Sequence, residues 1–321
     1  MRVAVFLRTA CACMLLLGAG AQAQGFPEKT VRMIVPFPPG GGSDIIARIV
    51  AQRLADKWKV PVVVDNKPGA DTQIGNALLA KAAPDGYTVG LISPTFATSK
   101  ALYANLPYDV VKDFTPVAMI ASTPVIVAVN AAAPAATVKE LVDLSRRTPG
   151  KLNYSASSTT SLIFGELFRS AAGVDAQPVP YKGSGPSVMA VAAGEVTFTL
   201  DTFGAMKPML DAKRIRVIAV ASRERFLSVP DAPTLGELGV ADAVMDSYWA
   251  LIAPAGVPPD VIARLNGALK DVLAMPDVQQ QLAAGGNVGA YSSPEELGRF
   301  LGGEFSRYER AVKKHGIQPV N

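Results

Sequence analysis

The chain has very little cysteine or histidine. Cys11 and Cys13 are its two cysteines, both in a leading segment that we expect to be removed, and His315 lies in the polar tail KKHGIQPVN. A mature chain without cysteine has no disulfide, no thiol nucleophile and no thiolate metal site. One surface histidine leaves no Ser-His-Asp or Cys-His arrangement, and no clustered motif such as HExxH occurs. The sequence therefore predicts no metal centre and no cofactor, and it lacks the residues most often used as catalytic nucleophile and base.

An excess of charge of one sign is also missing. The formal net charge of +4 falls to about +2 when Arg2 and Arg8 of the leading segment are subtracted. No basic run is longer than Lys313-Lys314, and aromatic residues do not alternate with basic ones as a base-stacking surface requires. Binding to nucleic acid or to an anionic membrane surface is therefore unsupported.

The one long apolar run lies near the N-terminus. Residues 11–20 follow two arginines and precede Ala21-Gln22-Ala23, the small-x-small pattern of a signal-peptide cleavage site. This run is too short to remain as a membrane-spanning helix. We therefore expect residues 1–23 to be a signal peptide and the mature protein to be periplasmic, with no direct membrane insertion.

The rest of the chain predicts two α/β lobes. About 298 residues remain after the leader, which is too many for one ordinary hydrophobic core. Apolar runs of strand length alternate with helical stretches, as in parallel sheets with crossover helices. We predict lobe 1 from residues 24–125 and 248–321 and lobe 2 from residues 126–247. Two crossover strands would join the lobes, with a ligand cleft between them.

Three segments carry local predictions that bear on this cleft. Pro94-Thr95 is expected to be a polar loop after a strand at 87–93. The Pro-rich segment 106–116 is expected to precede a strand at 124–130. A helix is predicted over 162–172, directly after five consecutive hydroxyl residues.

The stretch VRMIVPFPPGGGSDIIAR, residues 31–48, predicts a buried strand, a rigid turn and a helix. Two prolines fix the backbone at the exit of the strand, and three glycines without Cβ let a ligand lie against the backbone. Ser43 or Asp44 is expected to cap the helix, whose unpaired N–H groups and positive dipole end suit a carboxylate or phosphate. These residues favour an anion-binding turn, although a Gly-rich turn can also be a plain connection.

Polar groups follow other predicted strands. The hydroxyl run 157–161 can hold a carboxylate through neutral donors, or it can be a helix cap with surplus hydroxyls. Lys182 can meet an anion or be solvated. Asp201 ends an apolar strand, where parallel sheets present ligand contacts, and it can accept a ligand amine or cap the next segment.

Taken together, these motifs resemble a known family. The matching blocks are VRMIVPFPPGGGSDIIAR, VVVDNKPGA, AAPDGYTVGLIS, LYANLPYDVVKDFTPVAMI, TPGKLNYS, VPYKGSGP, APTLGEL and YWALIAPAGVPPDVIARLN. Over essentially the whole mature chain they resemble the Bug/TctC family, the extracytoplasmic solute receptors of tripartite tricarboxylate transporters. The resemblance implies an α/β fold of the type II periplasmic-binding-protein kind, whose two lobes close on a small carboxylate.

The resemblance also implies a ligand-binding set. Family members hold the carboxylate largely through backbone groups and waters of the first βα loop and of a hydroxyl-bearing loop in the second lobe. The corresponding positions here are Phe37, Pro38, Pro39, Gly40, Gly41, Gly42, Ser43, Asp44, Ser157, Ser158, Thr159 and Thr160, with Thr95, Lys182, Gly183 and Asp201 as weaker candidates.

The chain departs from the family pattern at several of its loops. SASSTTS stands where family members usually have a longer, glycine-containing loop, and Ile163 or Phe164 stands where they often have a histidine. Pro178 replaces the family's histidine before VPYKG, and Asp71-Thr72 replaces the usual Gly-Gly after KPGA. The identity of the ligand therefore does not transfer.

We expect a monomeric exported receptor that captures a small carboxylate for membrane transporter subunits, and no enzymatic activity. Two alternatives stay open. The chain could be the ligand-presenting subunit of a signalling sensor, or a cleft hydrolase using Ser157 or Ser158, although no histidine lies near either serine in the sequence.

Overall fold

The computed structural model describes residues 25–222, 224–240 and 243–318. The predicted signal peptide, residues 1–23, lies outside this part of the chain. None of the helices within it combines the length and the hydropathy that a membrane span needs.

Strands and helices alternate through most of the described chain. The strands are β1 Val31–Val35, β2 Val62–Asn66, β3 Thr88–Ile92, β4 Phe114–Asn130, β5 Leu152–Ala156, β6 Ala176–Pro180, β7 Phe198–Thr202, β8 Ile215–Val220, β9 Asp246–Pro254 and β10 Val288–Gly289. The helices are α1 Gly42–Trp58, α2 Gln73–Ala80, α3 Pro94–Leu102, α4 Val138–Arg147, α5 Thr159–Ala172, α6 Ser184–Ala193, α7 Phe203–Asp211, α8 Pro259–Leu273, α9 Pro276–Ala284 and α10 Pro294–His315.

The strands form two connected sheets of similar design. The first has the order β2-β1-β3-β9-β4, in which β1, β2 and β3 are parallel and β9 is antiparallel to both neighbours. In the second, β5, β6 and β7 are parallel, and β4 runs antiparallel to β7 and β8. Each sheet therefore presents the carboxyl ends of three parallel strands at one edge, where α/β proteins bind ligands.

One long strand connects the sheets. Residues 114–124 of β4 pair with β9 in the first sheet, and residues 125–130 pair with β7 and β8 in the second. The chain returns from the second sheet to the first next to this point. Met245 N–H donates to Ala221 O, which follows β8, at 2.6 Å, and the next residue, Asp246, pairs with Pro124 of β4. The chain thus passes between the sheets twice, at adjacent places.

The C-terminal helix α10 packs across both halves of the molecule. Its Phe305 ring lies 6.2 Å from the ring of Phe96 on α3, and its Tyr308 ring lies 6.5 Å from Phe164 on α5. These residues belong to one apolar cluster that also contains Tyr154 of the second sheet. Burial of this cluster stabilises the packing of α10 against α3 and α5.

One local prediction was wrong, and two predicted elements are present but begin earlier than expected. Pro94 and Thr95 form the first turn of α3, where proline at the first helical position loses no hydrogen bond. The strand expected at 124–130 begins at Phe114 and contains Pro116, next to a register shift that accommodates it. Helix α5 begins at Thr159, so part of the hydroxyl run lies within its first turn.

Candidate ligand-binding cleft

The carboxyl edges of the two sheets meet through side-chain hydrogen bonds. Thr159, at the start of α5, donates its hydroxyl hydrogen to Asp71, which follows β2. Thr160 Oγ1 lies 3.1 Å from Thr95 Oγ1 and 3.2 Å from Thr98 Oγ1, both on α3. The loops after β1, β2 and β3 therefore face the loops after β5, β6 and β7. The residues predicted for the site lie in these loops or in the first turns that follow them, except Asp201, which is the penultimate residue of β7.

The start of α1 differs from its predicted form. Its N-cap is Gly41, and no side chain caps the helix, so the expectation that Ser43 or Asp44 does so was wrong. The helix begins two residues earlier than a Ser43 cap would require. Ser43 Oγ instead accepts a hydrogen bond from Trp249 Nε1 at 2.9 Å.

Asp44 supports the glycine loop from inside. Its side chain is 4% exposed and accepts hydrogen bonds of 2.9 Å from Gly40 N–H, Arg48 Nε and Asn66 Nδ2. Asn66 also donates to Phe37 O at 3.0 Å. Burial, the largest single effect, acts to raise the pKa of Asp44, but these hydrogen bonds together hold it below its ordinary value. Asp44 thus fixes the shape of the loop.

The outer surface of the loop is open. Pro38, Pro39 and the three glycines are exposed. A Cβ added at Gly40 or Gly42 would meet no atom within 4 Å, and one at Gly41 would meet only Pro38 O, at 3.7 Å. The first N–H groups of α1 lack intrahelical acceptors, as at any helix start, and the positive end of the helix dipole points the same way. This surface can receive a carboxylate.

The hydroxyl groups at the start of α5 each have a protein partner. Ser158 is the N-cap and forms a capping box with Ser161. Ser157 Oγ donates to Asp201 Oδ2 at 3.2 Å, and Thr159 donates to Asp71. The cap interpretation therefore accounts for Ser158, whereas Ser157 and Thr159 link α5 to two carboxylates.

Two other predicted site residues of the second lobe, Gly183 and Asp201, contact Ser157. Gly183, with φ +95°, donates its N–H to Ser157 O at 3.2 Å, and Asp201 accepts from the Ser157 hydroxyl. Asp201 Oδ1 also accepts from Thr202 N–H at 2.8 Å. Burial raises the pKa of Asp201, against hydrogen bonds from Ser184, Thr202 and Ser157. Lys182 is exposed to solvent.

Asp71 is a cleft residue that the sequence-based set left out. Ala70, Asp71 and Thr72 have φ values of +46°, +50° and +75°, a left-handed run that glycine adopts most readily. The Asp71 carboxylate accepts from Thr159 across the cleft and from Tyr103 Oη at 3.5 Å. Burial raises its pKa, although both hydrogen bonds act in the opposite direction. The signal available in the sequence was the replacement of the usual Gly-Gly pair.

Two surface depressions lie away from this cleft. One is lined by residues that include Asn130, Asn153 and Thr197, and the other by residues that include Arg53 and Asp277. Neither contains a predicted site residue.

Known proteins similar in sequence cover nearly the whole chain. The family model described as "Tripartite tricarboxylate transporter family receptor" matches residues 46–317. Protein BugT of Bordetella pertussis is 31% identical over 320 residues, which are 98% of this chain and 97% of BugT. A protein of the tcbD-tcbE intergenic region of Pseudomonas sp. strain P51 is 33% identical over 295 residues, 91% of this chain and 88% of the relative.

Solved structures agree with the fold. Rpa4515 of R. palustris, solved with adipate, has a TM-score of 0.85 at 33% identity, with 92% of this chain and all of that chain (100%) covered. MatC (Rpa3494) from Rhodopseudomonas palustris, with bound malate, has a TM-score of 0.80 at 30% identity, with 89% and 100% covered. The predicted two-lobed α/β fold of the periplasmic-binding-protein kind is confirmed.

Proposed function

The chain belongs to the tripartite tricarboxylate transporter receptor family, and we propose that it captures a small carboxylate in the periplasm for membrane transporter subunits. Its relatives are solute-binding receptors, so the protein is a receptor and not an enzyme. Family membership gives the receptor class. The carboxylate ligand, the periplasmic compartment and the transporter partner are what we propose.

The observation that carries the proposal is the open start of α1. Gly40, Gly41 and Gly42 leave the backbone accessible, and buried Asp44 holds the loop in shape. Charge-assisted hydrogen bonds from backbone N–H groups to a carboxylate are each worth about 1.5–3 kcal/mol. A carboxylate can therefore be held here without a buried arginine.

The two solved relatives support the same chemistry. Adipate and malate, which accompany them, are both small carboxylic acids. Because those proteins share the fold of this chain over most of its length, we infer a carboxylate ligand for this chain as well.

Closure of two lobes over the ligand is part of the proposal. We assign residues 24–125 and 248–321 to lobe 1 and residues 126–247 to lobe 2. The change of sheet between Pro124 and Val125 supports the first boundary, and the pairing of Asp246 with Pro124 supports the second.

A sensor role is the competing candidate, since the same receptor can present its ligand to a signalling protein. Genes for membrane transporter subunits beside this gene would favour uptake, and a neighbouring histidine kinase gene would favour sensing. The hydrolase alternative is not retained, because the relatives are receptors and the Ser157 hydroxyl, which donates to Asp201, contacts no histidine among the described residues.

A thermal-shift panel tests the ligand class. Mono-, di- and tricarboxylates, amino acids and aromatic acids would be compared with neutral sugars and amines that lack a carboxylate. A ligand that binds only the folded state raises the melting temperature in a concentration-dependent way. We expect at least one acid and none of the comparison compounds to do so. A panel in which no acid stabilises the protein would contradict the proposal.

A further inference from the structure

Two carboxylates flank the start of α5 in the proposed ligand cleft. Asp71 reaches it from the first lobe and accepts from Thr159, and Asp201 belongs to the second lobe and accepts from Ser157. The two hydroxyl donors are only two residues apart in the chain. Two negatively charged carboxylates therefore already engage the Ser157 and Thr159 hydroxyls, which a ligand carboxylate would otherwise need as hydrogen-bond donors.

No cation compensates these carboxylates among the described residues. The groups that hydrogen-bond to Asp71 are the hydroxyls of Thr159 and Tyr103. Those at Asp201 are the Ser157, Ser184 and Thr202 side chains and the Thr202 N–H. Asp44, in contrast, pairs with Arg48.

Two parts of the cleft therefore differ in what they accept. The start of α1 offers N–H groups without intrahelical acceptors and a positive dipole end, which suit a carboxylate. The start of α5 is flanked by two partly buried carboxylates without a cationic partner among the described residues, which disfavour a second negative charge and favour a hydrogen-bond donor or a cation. A ligand that fits both parts has one carboxylate and one donor group.

The backbone around Asp71 indicates that its carboxylate is held in place. Asp71 and both of its neighbours have positive φ values, which L-residues adopt at a cost. Aspartate tolerates this conformation better than most residues. Contacts on both sides keep the side chain in the cleft, since Thr159 and Tyr103 come from different elements.

We propose that Asp71 determines ligand class in this receptor, favouring acids whose far end carries an amine over acids with a second carboxylate. The inference rests on the proposed function, because it assumes that a carboxylate binds at the start of α1. Asp201 acts in the same direction from the other lobe. This preference would differ from the diacids, adipate and malate, that accompany the two solved relatives.

Isothermal titration with matched ligand pairs tests this inference. The probes are 6-aminohexanoate against adipate and 4-aminobutanoate against succinate, which differ mainly at one end of the molecule. The variants are Asp71→Asn, which keeps the shape and removes the charge, and Asp71→Gly, which restores the residue type expected from the family pattern. Asp211→Asn removes the charge of an exposed carboxylate that pairs with Lys207, and serves as the control.

For wild type we expect at least one amino acid to bind about tenfold or more tightly than its paired diacid. Asp71→Asn and Asp71→Gly should lower that ratio about tenfold or more, whereas Asp211→Asn should leave it unchanged. Both cleft variants should fold, since asparagine and glycine tolerate positive φ, and thermal unfolding checks this.

Each remaining result counts against the inference. A diacid preference in wild type, or a ratio that both Asp71 variants leave unchanged, overturns it while carboxylate binding stands. Failure of all four probes to bind also overturns it. The proposed function fails as well only if the broader acid panel yields no ligand.

Discussion

Two aspartates of the first lobe have opposite surroundings. Asp44 is surrounded by donors, including Arg48, and its pKa is lowered. Asp71 has two hydroxyl partners and no cationic partner among the described residues, and burial raises its pKa. The carboxylate that shapes the α1 loop is thus well satisfied, whereas the one in the cleft is not.

Replacing Asp44 tests its structural role. We expect Asp44→Ala to lower the free energy of unfolding at pH 7 by about 2 kcal/mol, because Gly40 N–H and Asn66 lose a buried charged acceptor. The Arg48 side chain is 54% exposed, so that ion pair contributes little of this loss. Urea unfolding measures the change, and a loss indistinguishable from zero would show that the loop does not depend on Asp44.

The same variant has a predictable pH dependence. A carboxylate whose folded-state pKa is lowered stabilises the protein above its ordinary pKa, and this contribution disappears as the pH falls through the folded-state value. The difference between wild type and Asp44→Ala should therefore be full at pH 7 and shrink below pH 3.8, the ordinary value. A difference that grows on acidification would contradict the assignment.

At the scale of elements, the loop between β2 and α2 carries the clearest strain. Ala70 is exposed, with φ +46°. Ala70→Gly removes no contact of consequence and relieves this conformation, so we expect a gain in unfolding free energy of up to about 1 kcal/mol.

Ala83 provides the matched control for that substitution. It is also exposed and outside helices and strands, but it is not among the residues with positive φ. Ala83→Gly should therefore destabilise slightly, by about 0.5 kcal/mol, through the entropy of the unfolded chain. Equal effects of the two substitutions on the melting temperature would show that the loop is unstrained.

Some elements could be predicted from the sequence and others could not, for physical reasons. Strand β1 and helix α1 follow from apolar periodicity and the Gly-rich turn. Helix α3 was missed because its polar residues suggested a loop. In the fold they are buried, and Thr98 and Ser99 donate to carbonyls three residues earlier at 3.3 and 2.9 Å. The bond between Thr159 and Asp71 spans 88 residues and depends on how the lobes approach each other.

At the scale of the whole molecule, buried hydroxyls join the two lobes. Thr160 Oγ1 lies between Thr95 and Thr98, and all three side chains are buried. We expect Thr160→Val to lower the unfolding free energy by about 1 kcal/mol and to shift the ligand-free protein toward a more open form with a larger radius of gyration. Small-angle X-ray scattering measures that shift.

Thr199→Val is the control for lobe contact. Thr199 is equally buried, but its hydroxyl accepts from Ser155 at 2.8 Å within the second sheet. It should cost similar stability without changing the scattering curve. Identical scattering from Thr160→Val and wild type would show that this hydroxyl cluster does not hold the lobes together.

The central claim is that a carboxylate binds at the open start of α1, and titration of Gly41→Val tests it most directly. Gly41 has φ −81° and ψ 169°, which valine adopts without strain, and its added Cβ would meet only Pro38 O, at 3.7 Å. Gly302→Val places the same side chain on the exposed surface of α10 as a control. With the best acid of the panel, we predict that Gly41→Val weakens binding about a hundredfold or more, whereas its free energy of unfolding falls by about 1 kcal/mol or less because valine is a poorer N-cap residue than glycine. Gly302→Val should bind as wild type does. Wild-type affinity in Gly41→Val would contradict the account.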